Sequence, residues 1–320
     1  MMRLKLVPQD TTLDFFSKAR VSLGISAVFV FLSLGALLFQ GLNFGIDFLG
    51  GTTIRSQSTQ TVDVGEYRSV LSRLEFGDIS ISEVFDPNFD DDQNVAMIRI
   101  QQQNYGEKSV SDVTLGALAA LQKIDPDISF VSVENVGPKV SGELVQTAIL
   151  AVVFAISAVL FYIWLRFEWQ FAQGAVAALI HDVFLTIGVF SVLQIKFDLA
   201  IIAALLTIVG YSLNDTVVVF DRVRENLRKY KKLPLKEVLN RSINETLNRT
   251  VTTSLTTLLA LIALFILGGD VIRGFVFAMI WGVIVGTYSS VFVASSTLLW
   301  LGVKRDWSKP NSEAGTQVPQ

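Results

Sequence analysis

The sequence predicts an integral membrane protein, mostly α-helical, with six transmembrane helices and one small external α+β domain of the ferredoxin-like βαββαβ type. Three observations carry this expectation. Hydrophobic residues make up 51% of the 320 and charged residues only 17%, against about 25% charged in an ordinary soluble domain. Mean hydropathy is +0.50. Six apolar runs approach or exceed the roughly 20 helical residues that a hydrocarbon core requires, and a long polar stretch separates the first from the second.

The runs are Val21 to Gln40, Leu144 to Leu165, Gly174 to Leu193, Leu199 to Phe220, Val251 to Leu267 and Gly274 to Leu301. The first is too long for the apolar part of a signal peptide and no Ala-x-Ala site follows it, so it is expected to remain as an anchor. The fifth is short, and its helix is expected to begin earlier, on polar residues near Asn248. The resulting division is an N-terminal segment 1–20, a first span 21–41, the α+β domain 42–143, spans two to six over 144–302 with a basic loop at 221–249, and a polar tail 303–320.

Within the domain the apolar alternation predicts strands at Thr52–Ser58, Ile79–Phe85, Asn94–Gln101 and Ile128–Asn135. Helices are expected at Val64–Leu74 and Ser109–Ile124, the second with Val113, Leu115, Leu118, Leu121 and Ile124 on its apolar face. The order is that of the split βαβ motif. The domain carries 16 Asp and Glu against seven Lys and Arg, which fits a solvated surface or the steering of basic stretches of a partner.

Orientation follows from Lys and Arg near the ends of the spans. Arg3, Lys5, Lys18, Arg20, Arg166, the nine basic residues from Arg222 to Arg249, and Lys304, Arg305 and Lys309 fall on one side. Lys196 and Arg273 fall on the other. Both termini are therefore expected in the cytoplasm and the domain outside. In the basic loop, Leu235, Val238, Leu239, Ile243 and Leu247 share one helical face. That predicts an interfacial amphipathic helix, drawn to anionic lipid or docked on a cytoplasmic partner.

Composition also excludes whole classes of chemistry. The chain has no Cys and one His, which leaves no disulfide scaffold, iron–sulfur cluster, thiol nucleophile or His-rich metal site. A net charge of −3 gives no support to nucleic-acid binding. His-Glu-x-x-His, Gly-x-Ser-x-Gly and Gly-x-x-x-x-Gly-Lys are all missing. No enzyme is expected, no cofactor and no metal; energy must come from a gradient or a partner.

Ionisable residues inside a span are costly, and each is a functional candidate. Span three holds His181 and Asp182, span four Asp215, and span five Arg249 at its basic end. At 1.5 Å per residue, Asp182 lies about 12 Å and Asp215 about 9 Å from the same side. A carboxylate there, desolvated but near a guanidinium, suits a proton relay; it equally suits a static buried pair that fixes packing. Ser212, Asn214 and Thr216 surround Asp215 with polar groups, and Thr252, Thr253, Ser254, Thr256 and Thr257 do so near Arg249. His181 fits either a packing hydrogen bond or a proton carrier. Span six carries Gly274, Ala278, Gly282, Gly286, Ser290 and Ala294 every four residues, a stripe that lets another helix approach closely.

The run from His181 to Asn226, and above all GYSLNDTVVVFDRVREN, closely resembles the SecF family, the smaller membrane subunits of the bacterial SecD–SecF secretion complex. GIDFLGG at Gly45–Gly51, Val136-Gly137-Pro138, and Asn248-Arg249-Thr250 followed by Thr253-Ser254 match in the right order. The resemblance covers nearly the whole chain up to Trp307. It implies half of a resistance–nodulation–division transporter, with SecD as the other half, located in the bacterial inner membrane. It implies use of the proton-motive force to help unfolded secretory polypeptides leave the SecYEG channel after the SecA motor has acted, with YajC and YidC as further partners. Protons are then the coupling ion. Asp215 and Arg249 match the family's proton-coupling positions; Asp182, His181, Thr253 and Asn214 are weaker candidates for the same path. Gly45, Asp47, Gly50, Gly51 and Gly210 belong to the matching motifs. The competing reading is a proton-coupled small-molecule exporter subunit of the same superfamily.

Overall fold

The structure is a computed structural model that describes residues 11–17, 19–74, 76, 79–84, 94–101 and 110–303. Phe85, Ser109, Arg3, Lys5, Lys18 and the tail from Lys304 onward, all used in the sequence argument, lie outside the described residues.

Six helices are long and apolar enough to cross a membrane. The first is α1, Ala19–Phe39, followed by a single turn, α2, Ile46–Leu49. The α+β domain comprises β1 (Gly51–Ser58), α3 (Val64–Leu71), β2 (Ile79–Val84), β3 (Asn94–Gln101), α4 (Val110–Leu121) and β4 (Ser129–Val136). The remaining long helices are α5 (Pro138–Arg166), α6 (Trp169–Leu193), α7 (Leu199–Lys229) and α8 (Leu235–Leu267). The sixth span is α9 (Gly269–Ser289), a π-helical turn at Ser290–Ala294 and α10 (Ser295–Leu301). The chain is a multi-pass membrane protein.

The four strands form one antiparallel sheet in the order β2-β3-β1-β4. This is the split βαβ arrangement: each helix connects strands that are not neighbours. Ile54 of β1 stands opposite Ile98 of β3 and Val133 of β4. Tyr67 and Leu71 of α3 and Val113, Ala117 and Leu121 of α4 close over one face of the sheet. Leu115, expected on that face, is exposed at 63%. The stripe that packs uses Ala117 and Ala120 between Val113 and Leu121, because small residues let α4 lie close to the sheet. Helix α3 starts at Asp63, whose carboxylate accepts from the Gly65 and Glu66 N–H groups, the usual N-cap arrangement; its last turn, Ser72–Leu74, is a 3₁₀ helix.

In the bundle, half or more of the apolar window of the third, fourth and sixth spans is buried, against 11% for the other three. Helices α6, α7 and α9 are therefore the packed centre. Several helices overrun the apolar stretches. Helix α7 has 31 residues and is about 46 Å long, well beyond a core of about 30 Å; Leu227, past its apolar run, is buried.

The expected interfacial amphipathic helix is not a separate element. Pro234 precedes α8, no helix breaker follows, and a single helix runs from Leu235 to Leu267. Its apolar residues Val238, Leu239 and Ile243 are fully buried against Phe220, Val223 and Leu227 of α7 and against Phe16. The partner of that face is protein, because α7 extends beyond the membrane level and offers a matching apolar stripe.

Candidate functional site

The joint between domain and bundle is built from Gly45–Gly51. Phe44 bridges Phe197, the Gly45 N–H donates to Phe197 O at 2.8 Å, and the Phe197 N–H donates to Asn43 O at 2.7 Å. A Cβ on Gly45 would lie 2.7 Å from Lys196 Cε and 3.2 Å from Asp198 Cβ, so a side chain there would make Lys196 move and crowd Asp198. Gly50 and Gly51 have φ of 73° and 135°, where side chains are strained. Asp47 Oδ2 accepts from the Leu199 N–H at 3.1 Å, and Asp198 Oδ1 accepts from the Ile201 N–H at 3.3 Å. Two carboxylates thus cap the N-terminus of α7, the helix that carries Asp215.

Deeper in the bundle, α9 packs on α7 through its small residues. A Cβ at Gly282 would overlap the Ile208 side chain, and one at Gly286 would lie 3.1 Å from Ser212 Cβ. This closeness brings hydroxyls from both helices to one carboxylate. Asp182 of α6, with no exposed surface, accepts at Oδ2 from Ser212 Oγ at 2.5 Å and from Ser289 Oγ at 2.7 Å. Its Oδ1 lies 2.9 Å from His181 Nδ1. The His181 ring stacks on Tyr288 at 6.1 Å. Tyr288 Oη in turn donates to Ser22 O at 2.9 Å and lies 3.0 Å from Ser26 Oγ of α1. One network therefore joins α1, α6, α7 and α9, immediately before the π-helical turn.

Asp215 lies one turn beyond Ser212 and is in a different situation. It is 4% exposed, and its Oδ2 is buried with no hydrogen-bond partner. Arg249 acts on it electrostatically, yet among the described residues the two form no ion pair. Arg249 is exposed, as are Asn214 and Gly210 on α7, while Thr253 is half-buried. The threonines expected to surround this region with polar groups bond back to their own helix: Thr253 to the Arg249 and Thr250 carbonyls, Thr256 to those of Thr252 and Thr253, and Thr257 to that of Thr253. Ser254 instead reaches Thr287 of α9 at 2.7 Å.

The structure thus gathers His181 and Asp182 into one cluster and leaves Asp215 and Arg249 near each other but unbonded. Gly45 and Asp47 lie at the far joint. Ser289 and Tyr288 escaped sequence reasoning because span six has no charged residue; the adjacent pair Ser289-Ser290 in an apolar run was the available signal. Among the described residues no group of His, Asp and Glu could hold a metal ion.

The family described as protein export membrane protein SecD/SecF, C-terminal, matches residues 117–304, and the SecD/SecF GG motif matches residues 35–62. The first of these covers more than half of the chain. The chain belongs to the SecF family. A protein translocase subunit SecF from Cereibacter sphaeroides is 60% identical over 98% of this chain and 97% of its own length. The SecF of Rhodobacter capsulatus is 58% identical over 96% and 94%. A crystal structure of SecDF from Thermus, described as a translocon-associated membrane protein, superposes with a TM-score of 0.82 at 35% identity. It takes in 92% of this chain, which spans only 39% of that SecDF chain. The GG motif of the SecF family is the joint described above, and the C-terminal family region contains both carboxylates.

Proposed function

We propose that this chain is the subunit that works with SecD to turn the proton-motive force into late-stage translocation and release of polypeptides at the SecYEG channel. In this reading it sits in the bacterial inner membrane with both termini cytoplasmic and the α+β domain periplasmic. It is a transport subunit and not an enzyme; it needs no cofactor, and protons are the coupling ion. YajC and YidC are further partners, and unfolded secretory polypeptides are the cargo.

The observation that carries the reading is the contrast between the two buried carboxylates. Both oxygens of Asp182 are engaged by fixed neighbours. Asp215 Oδ2 is buried and open, beside an arginine that attracts it without pairing. A carboxylate so placed can take up a proton without breaking a network. Deprotonated, it draws Arg249 toward it; neutral, it releases α8. One charge crossing the membrane is worth about 2.3 kcal/mol per 100 mV, and a shift from 1:99 to 99:1 takes about 5.5 kcal/mol. Two or three protons suffice, at roughly physiological potentials. The motion reaches the domain through α7, whose N-terminus Asp47 caps.

The test is translocation of a secretory protein into membrane vesicles at saturating ATP, with and without a proton gradient. Asp215→Asn and Arg249→Met should leave assembly with SecD intact and abolish the gradient-dependent part. A full gradient response in the Asn variant would make Asp215 a packing residue and sink the reading.

A further inference from the structure

Helix α8 is buried most deeply toward its start. Its buried residues run from Val238 to Ser254, and none follows before Leu267. The turn that holds Arg249 is set between the Ser254 bond to Thr287 of α9 and the grip on the helix near its start. Besides α7, that grip comes from the N-terminal segment Thr11–Phe15.

Two asparagines one turn apart on α8 hold this segment by its backbone. Asn244 Oδ1 accepts from the Leu13 N–H at 2.9 Å and its Nδ2 donates to Leu13 O at 2.9 Å, the two-point pairing that a neighbouring strand would offer. Asn240 Oδ1 accepts from the Phe15 N–H at 2.9 Å, and its Nδ2 donates to Asp14 Oδ1 at 2.7 Å. That bond, with Lys236 at 3.5 Å, holds the Asp14 carboxyl below its ordinary range. Phe16 then enters the apolar cluster that contains Val238, Leu239 and Ile243. Asparagine is a poor residue for a helix interior. Spending two of them on a non-helical backbone is more than packing requires.

The segment leads into α1, which packs along α6 and passes through Gly41 to the Gly45–Gly51 joint. We infer that Asn240 and Asn244 are positioning residues for Arg249: they clamp Thr11–Phe15 as a strap that fixes the rotation of α8 and ties it to α1. Arg249 lies five residues beyond Asn244, about 7.5 Å along the axis, so a small rotation at the strap is carried directly to the guanidinium. The functional consequence rests on the proton-coupling reading; the positioning itself does not.

Two variants break the strap from opposite sides. Asn244→Leu removes the amide, whereas Leu13→Pro removes the backbone donor and leaves α8 untouched; the Leu13 side chain is 54% exposed. Spin labels at Thr207→Cys and Asn248→Cys, in a chain with no native cysteine, report the spacing of α7 and α8 in the whole protein with its partner. Each variant should broaden the distance distribution at least twofold, and the double variant should add nothing beyond Asn244→Leu, which removes both bonds to Leu13, the one lost in Leu13→Pro included. The gradient-dependent part of translocation should fall roughly fivefold in each, the factor given by one hydrogen bond of ordinary strength. An unchanged distribution in Leu13→Pro, or additive broadening in the double variant, overturns the inference. If Asp215→Asn retains its gradient response while the strap variants broaden the distribution, the proton reading fails and the strap stands.

Discussion

Gly282 is a position where this bundle has no room for a side chain. A Cβ there would fall inside the volume of the Ile208 side chain, whereas at Gly286 it would meet Ser212 Cβ at 3.1 Å. The two glycines, one turn apart on α9, should therefore respond differently to the same methyl group. Gly286→Ala asks α7 to give by a few tenths of an ångström, which lengthens the 2.5 Å bond from Ser212 to Asp182 without breaking it. Gly282→Ala forces Ile208, 1% exposed, out of its rotamer or pushes α7 away. Overpacking of this kind costs about 1–3 kcal/mol, and Gly282→Leu costs more. Ile208→Ala should restore part of the loss in Gly282→Ala, because the cavity it leaves is where the new methyl goes. The assay is thermal stability of the detergent-purified complex, read by size-exclusion recovery, beside steady-state abundance in the membrane. The expected order is wild type, Gly286→Ala, Gly282→Ala, Gly282→Leu. If Gly282→Ala matches wild type, or Ile208→Ala makes it worse, α9 does not pack on α7 through this stripe.

Three further outcomes are expected. Lys123→Cys, on the exposed side of the α+β domain, should react with an impermeant maleimide in spheroplasts; labelling only after lysis would reverse the orientation. Asp125 accepts from Ser58 Oγ and from the Asp127 and Thr59 N–H groups, and these bonds, that from Ser58 foremost, lower its carboxyl to about 2. Its stabilising effect is full above the unfolded value of 3.8 and is lost as pH falls toward about 2, so exchange protection around Thr59, corrected for intrinsic rate, should drop across that window in wild type and stay flat in Asp125→Asn. Gly51→Ala, at φ 135°, should cost at least about 1–2 kcal/mol and show as proteolytic sensitivity of the Gly45–Gly51 joint; Asp47→Ala, which removes one of the two carboxylates at the N-terminus of α7 and leaves Asp198, should cost about 0.5–2 kcal/mol, and resistance equal to wild type in both would show that the joint does not hold the domain to the bundle.

The six spans, the order of strands and helices along the domain and the short list of intramembrane ionisable groups were all legible in the amino-acid sequence. Each rests on a local signal: an apolar run long enough for the hydrocarbon, alternation at a period of two, or a charge where charge is costly. The glycine stripe of span six was legible for the same reason. What the stripe faces was not, because the identity of a packing partner is a property of two helices and only one is in view when a segment is read. That Ser212 and Ser289 converge on Asp182 while Asp215 Oδ2 is left open is a result of how the helices pack. A hydroxyl in an apolar run satisfies its own helix as readily as a neighbour's, as Thr253 and Thr257 do, and sequence cannot separate the two. The apolar face of Val238, Leu239 and Ile243 was equally ambiguous. A lipid surface and the flank of α7 present the same chemistry to it, and the choice fell to protein because α7 continues to Lys229, past the end of its own apolar run.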